Sequence, residues 1–226
     1  PISTLTVADR AIPGIFGTGV DASGALLSDG AVDLHYALKA SADPSFPGPD
    51  AVVVTNDLAL GWWGVNGPAS KFIAPSADPN LAPGDYTYRT SFNLSGYDVS
   101  KVRLVGGWAV DNTGVDILVN GVSIGNPVAS GWTRLTPFVI TSGLVAGANT
   151  LDFKVNNAGT SPNPTGLRVD LRGLLSIPRQ LQISQTASTV TIAWSPSAPS
   201  DRLQSAPTVT GPWDDVPGSP NPSYTT

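Results

Sequence analysis

The sequence predicts an all-β protein built as two β-sandwiches of unequal size. Three observations carry that expectation: a composition that disfavours helix, apolar runs of strand length, and turn residues that punctuate them at short intervals. All 17 acidic residues are Asp, and Glu, Met and Cys are absent. Glu and Met favour helices whereas Asp favours turns and caps, and 24 Gly with 21 Pro interrupt the chain too often for long helices. At 226 residues there is enough chain for a real core without covalent staples, in one large domain or two of ordinary size, with two the expected number.

The elements follow in order. Ile2, Thr4 and Thr6 alternate with Ser3, Leu5 and Val7 in an uncharged strip that reads as a strand and ends at Asp9 and Arg10. Ile15 to Asp33 is rich in Gly and Asp, and the Pro-rich loop Asp43 to Asp50 separates the apolar runs His35 to Leu38 and Ala51 to Thr55. From Tyr86 the rhythm is clearer, with strands expected at Tyr86 to Leu94, Lys101 to Val110, Val115 to Val119, Thr136 to Thr141, Thr150 to Val155 and Gly166 to Leu171. Asn120-Gly121 lies between apolar runs and suits the two positive φ angles of a type I′ hairpin turn. Strands at this spacing predict a jelly-roll β-sandwich over residues 14–175, preceded by an N-terminal strand or arm over 1–13.

Near Leu174 to Pro178 the composition shifts to Ser, Thr and Pro, and a smaller immunoglobulin-like β-sandwich is expected over 176–226. A hairpin of Leu181 to Gln185 with Thr189 to Trp194 precedes short strands near Arg202 to Ser205, Trp213 to Val216 and Ser223 to Thr226. That is about five strands where such a sandwich needs about seven. Two readings stand open: the chain continues past Thr226, or another polypeptide supplies the missing strand.

Function classes narrow on charge and composition. A net charge of -5, with Lys and Arg scattered singly, offers no basic stripe for nucleic acid. No apolar run is long enough to span a bilayer, and the start at Pro1 reads as a processed, exported form placed outside the cell or at its surface. The absence of Cys removes thiolate nucleophiles and thiolate metal sites and leaves the redox compartment open.

Several residue groups carry family resemblance. Asp116-Ile117-Leu118-Val119-Asn120-Gly121-Val122-Ser123-Ile124-Gly125, with Phe138 and Gly147-Ala148-Asn149-Thr150-Leu151, resembles the sugar-binding jelly roll that accompanies β-galactosidases and β-glucuronidases, there an accessory domain. Gly14 to Gly173 resembles a galactose-binding-like jelly-roll module of exported bacterial proteins, often with a PEP-CTERM sorting tail. That likeness runs through Gly17-Thr18-Gly19-Val20-Asp21, Asp33-Leu34-His35-Tyr36, Tyr86-Thr87-Tyr88-Arg89-Thr90 and Pro164-Thr165-Gly166-Leu167-Arg168-Val169. Leu203-Gln204-Ser205-Ala206-Pro207, Thr210-Gly211-Pro212-Trp213 and Val216-Pro217-Gly218 are similar to a fibronectin-like module of exported planctomycete and verrucomicrobial proteins, where a further aromatic strand usually follows. The resemblance implies fold and export and is nearly silent on activity.

Candidate sites are weighed against ordinary structural roles. The single His35 beside Tyr36 reads as a packed side chain, and Asp111 with Asp116, the one pair imaginable for glycosidase chemistry, reads as serving turns and a cation. No conventional enzyme is expected. Asp21, Asp29 and Asp33 in the first Gly-rich loop are candidate oxygen ligands for calcium, although Asp is also the common residue of solvated turns. Trp62 and Trp63 between two glycines, and Trp132 in a loop, offer flat aromatic faces to a sugar ring, whereas Trp108, Trp194 and Trp213 in strands read as core.

The strip holding Ile2, Thr4, Leu5, Thr6 and Val7 either pairs within its own domain or joins a neighbouring copy, with Tyr224 on the receiving side. The expected function is therefore a self-associating structural subunit of a surface filament or matrix. A non-catalytic cell-surface carbohydrate-binding module, with glycans as partners, is the alternative.

Overall fold

The computed structural model describes residues 8–55, 67–125, 128–177, 180–195, 204–208, 210–212, 214–217 and 223–225. The fold is all-β, as the composition requires; a 3₁₀ turn at Val99–Lys101 is the one helical element among the described residues. In chain order the first strands are β1 (Ala8–Ile12), β2 (Val32–Ala40), β3 (Asp50–Val53), β4 (Ile73–Ala74), β5 (Asn80–Leu81), β6 (Gly84–Asn93) and β7 (Val102–Asp111). Next come β8 (Thr113–Val119), β9 (Val122–Ser123), β10 (Ala129–Ser130), β11 (Thr136–Ile140), β12 (Ala148–Asn157), β13 (Asn163–Pro164) and β14 (Gly166–Ile177). The last are β15 (Gln180–Gln185), β16 (Val190–Ser195), β17 (Gln204–Ser205), β18 (Asp214–Asp215) and β19 (Ser223–Thr225).

The chain divides into a large unit, Ala11–Leu174, and a second made of the described residues of Pro1–Arg10 and Leu175–Thr226. In the large unit one sheet runs in the order β10-β8-β12-β6-β2-β3-β4-β14-β7-β11, with β9 on β8 and β1 on β14. It curls into a sandwich: beside β10, which pairs with β8 at one end of the path, Gly131 O accepts the Val110 N–H of β7 near the other end at 3.3 Å. β11 is an end strand carrying Pro137, and proline is tolerated on an edge because it lacks the N–H that a central strand must donate.

Alternation on the strands places the core. β6 buries Tyr86, Tyr88, Thr90 and Phe92 on one face, and β12 buries Leu151, Phe153 and Val155 opposite. The Phe153 ring is the hub, with centroids 5.9 Å from Trp108, 6.0 Å from Phe138 and 6.2 Å from Tyr36. Four strands thereby meet at one aromatic cluster, each ring contributing up to about 3 kcal/mol of burial. Gly114 makes room for it, since a Cβ there would lie 2.5 Å from the Trp108 indole.

Local expectations hold at several points and shift at others. Asn120 and Gly121 have φ of 51° and 83°, and Val119 pairs with Val122 across them, as the two-residue turn requires. Lys101, expected in a strand, instead closes the 3₁₀ turn, because Asp98 accepts the Ser100 N–H at 3.2 Å and holds the backbone in a cap. β2 begins at Val32, before the expected His35, because the Asp33 carboxylate accepts the His35 and Tyr36 N–H groups at 2.8 and 3.2 Å and holds the irregular stretch over which the β2–β3 register shifts. β14 runs on to Ile177, past the expected end at Leu171.

In the second unit β15 and β16 form the expected antiparallel hairpin, β19 pairs with the far side of β16, and β17 pairs with β18. From Leu175 onward no described side chain is buried, and Ile183 is 64% exposed.

Candidate glycan pocket at the sandwich rim

The site is built where β7 ends. Asp111 closes β7, Asn112 turns the chain into β8, and the loop after β10 brings Trp132 beside them; Asn163 and Pro164 of β13 complete a pocket of about 270 Å³. That volume lies just below the usual range of ligand sites, roughly 300–1,000 Å³.

Asparagine side chains fix the walls. Asn112 Oδ1 accepts the Ala158 N–H at 2.7 Å, and the Asn112 carbonyl accepts the Gly131 N–H at 3.3 Å, tying the turn to two neighbouring loops. Asn157 Nδ2 donates to the carbonyls of Leu81, Ala82 and Asn163, and Asn163 Nδ2 donates to those of Ala158 and Ser161. Buried loop carbonyls are costly to leave unpaired, so these amides stand in for the ladder bonds that the loops lack. Asn112 Nδ2 and Asn163 Oδ1 are not used in this net.

Asp111 stands apart from Asp33 and Asp152, the other buried acids among the described residues of the large unit. Its residue is 2% exposed, its Oδ1 is buried without a hydrogen-bond partner among the described residues, and its carbonyl accepts the Thr165 hydroxyl at 2.8 Å. Burial alone pushes the carboxyl up to about 7, because no donor or cation steadies the charged form. Trp132 and Pro164 supply apolar walls beside it, so the pocket joins an indole, amide groups and one weakly ionised carboxyl.

A second, broader depression of about 520 Å³ lies over β2 and includes Leu34, His35, Lys39, Asp50 and Arg89. There His35 stacks on Phe16 with centroids 3.9 Å apart, and Arg89 makes a bidentate pair with Asp152. These side chains serve the sheet itself.

The other expected site residues are placed as follows. Asp21, Asp29 and Asp33 do not gather around a cation position. Asp21 caps its own turn, accepting from the Ser23 hydroxyl and the Ser23 and Ala25 N–H groups, which hold it below the usual carboxylate range. Asp29 pairs with Lys71 at 2.7 Å, and Asp33 is buried and accepts the N–H groups of Gly19, His35 and Tyr36. No group of three or more His, Cys, Asp or Glu able to hold a metal occurs among the described residues. Asp116 accepts from Ser123 and does not line the rim pocket.

Trp132 is thus the one expected aromatic that the structure brings to a pocket; Trp62 and Trp63 lie outside the described residues, as do Ile2, Thr4, Leu5, Thr6 and Val7. Tyr224 lies on β19 opposite Ile192. Asn112 and Asn163 are functional candidates that sequence reasoning did not single out. The available signal is Asp-Asn directly after the long apolar run of β7, where a polar pair marks a rim.

No family model matches the chain, and no curated protein matches it. Solved structures do. The β-glucuronidase from Ruminococcus gnavus in complex with D-glucuronic acid is 14% identical with a TM-score of 0.38, covering 86% of this chain and 35% of that one. The Bifidobacterium dentium β-glucuronidase complexed with coumarin-3-O-glucuronide is 18% identical with a TM-score of 0.33, covering 49% of this chain and 26% of that one. The chain spans about a third of the length of the first of these. At such identities and scores nothing about activity or ligand follows from the likeness. No helix among the described residues is long and apolar enough to cross a membrane.

Proposed function

We propose that this chain is a non-catalytic carbohydrate-binding module, presented outside the cell, whose site is the rim pocket. One observation carries the reading: Trp132, Asp111, Asn112 and Asn163 converge on a cavity of sugar-ring scale that has no cation among the described residues of its lining. A pyranose presents an apolar C–H face, which an indole covers, and a ring of hydroxyls that both donate and accept. Asn112 Nδ2 and Asn163 Oδ1 match that need with one donor and one acceptor already held in place by their other atoms. The resemblance of Asp116 to Leu151 to accessory sugar-binding jelly rolls points the same way. The test is titration of a broad glycan panel against intrinsic tryptophan fluorescence and calorimetry. A sugar-induced signal that Trp132→Ala abolishes, with its melting temperature kept, supports the site; a flat response across the panel removes it.

Assembly by strand pairing is the second reading, and the observation that favours it is an edge. Among the described residues β19 is hydrogen-bonded on one side, to β16, and unpaired on the other. Deleting residues 1–7 should leave folded monomers by light scattering. Unchanged assembly in that truncation counts against a donated strand.

A further inference from the structure

Asp111 is the unusual member of the pocket. A carboxylate only accepts hydrogen bonds, whereas a protonated carboxyl also donates one. The other two buried acids among the described residues of the large unit are answered: Asp33 by three backbone N–H groups, and Asp152 by the Arg89 guanidinium. Asp111 Oδ1 is answered by nothing among the described residues. The charged residues on the elements packed around it are Arg103 on β7, Asp116 on β8, Asp152 and Lys154 on β12, Asp85 and Arg89 on β6, Arg168, Asp170 and Arg172 on β14, and Arg134 in the loop after Trp132. None of them lines the pocket.

Resting on the glycan reading above, we propose that the rim pocket selects uncharged sugars and holds them through Asp111 acting as a neutral hydrogen-bond donor. Geometry leads to this. A group buried among an indole, a proline ring and amides, with one oxygen unpartnered, is completed by a ligand that brings an acceptor, such as a hydroxyl or ring oxygen. A sugar carboxylate entering the same space would lose its hydration with no Arg or Lys among the described lining residues to meet it, although recognition of such anions rests on those side chains. Burial moves the ionisation of Asp111 to about 7, so the donor form is present on the acid side of neutrality and lost above it.

The experiment compares methyl glycosides of glucose, galactose and mannose with the methyl glycosides of their uronic acids, by calorimetry at pH 5.5 and 8.5, on the full chain and on Asp111→Asn and Trp132→Ala. A neutral member should bind at pH 5.5 and weaken by about tenfold or more at pH 8.5, as expected when a group ionising near 7 must hold its proton. Its uronic counterpart should bind at least tenfold more weakly at both values. Asp111→Asn, which keeps a donor, should bind the neutral sugar with no change between the two pH values. Binding that requires Trp132 yet is flat with pH in the unaltered chain, or equal affinity for a uronic member, overturns the selection while leaving the glycan site standing. No binding by any member overturns both. The carbon-13 shift of the Asp111 carboxyl in the ligand-free protein gives a readout independent of variants: a midpoint near 7 supports the donor, and one near 4 overturns it.

Discussion

The irregular stretch of β2 and the rim of β7 each bury one aspartate, and the two are solved in opposite ways. At Asp33 the backbone turns three N–H groups onto the carboxylate, from Gly19 at 2.6 Å and from His35 and Tyr36. Burial raises this carboxyl and the N–H groups draw it back. At Asp111 burial is the sole influence and Oδ1 has no partner among the described residues. An acid that is fully answered organises the chain around it. One that is left unanswered gives up stability.

The contrast can be broken or sharpened in four measurements. Asp33→Ala should have the largest effect, a loss of about 3 kcal/mol in urea unfolding, because three buried N–H groups lose one acceptor. A loss below about 1 kcal/mol would mean that the carboxylate does not organise β2. Asp111→Asn should act in the reverse direction and only at high pH. The unfolded acid ionises near 4 and the folded one at about 7. Over that window the folded state holds the extra proton, so the contribution of Asp111 is full below about 4 and lost as pH rises through about 7. The variant should match the parent at pH 4 and melt higher at pH 8.5; a pH-independent difference would contradict the assignment.

Thr165→Val removes the hydroxyl that the Asp111 carbonyl accepts, at a cost of about 1 kcal/mol at all pH values, read by the same unfolding curves. A pH-dependent cost would instead tie Thr165 to the carboxyl. Trp132→Ala should be the smallest, within about 2 °C of the parent, since the indole is only half-buried. A large fall would make Trp132 a structural residue like Trp108.

Much of the scaffold is legible in the sequence because its signals are local. The Asn120-Gly121 turn, the alternation of β6 and β12 and the β15-β16 hairpin depend on neighbours within a few residues, which a sequence displays directly. Trp132 is legible as a loop aromatic for the same reason. The rest of the pocket is not, because Asp111 and Asn163 lie 52 positions apart and are joined only by the curl of the sheet. The acids of the first loop illustrate the converse. Asp21, Asp29 and Asp33 are near in sequence and read as one group, yet each is committed to a different partner, a turn, a lysine and a strand.

Pro137 on β11 bears on how the molecule behaves in a crowded solution. A sheet grows by adding a strand to an unprotected margin, and each added strand needs an uninterrupted row of donors and acceptors. In a five-residue margin such as β11, one imide leaves a gap in that row too large for a docking strand to bridge with its remaining bonds. Fibrillar growth from that side is thereby discouraged.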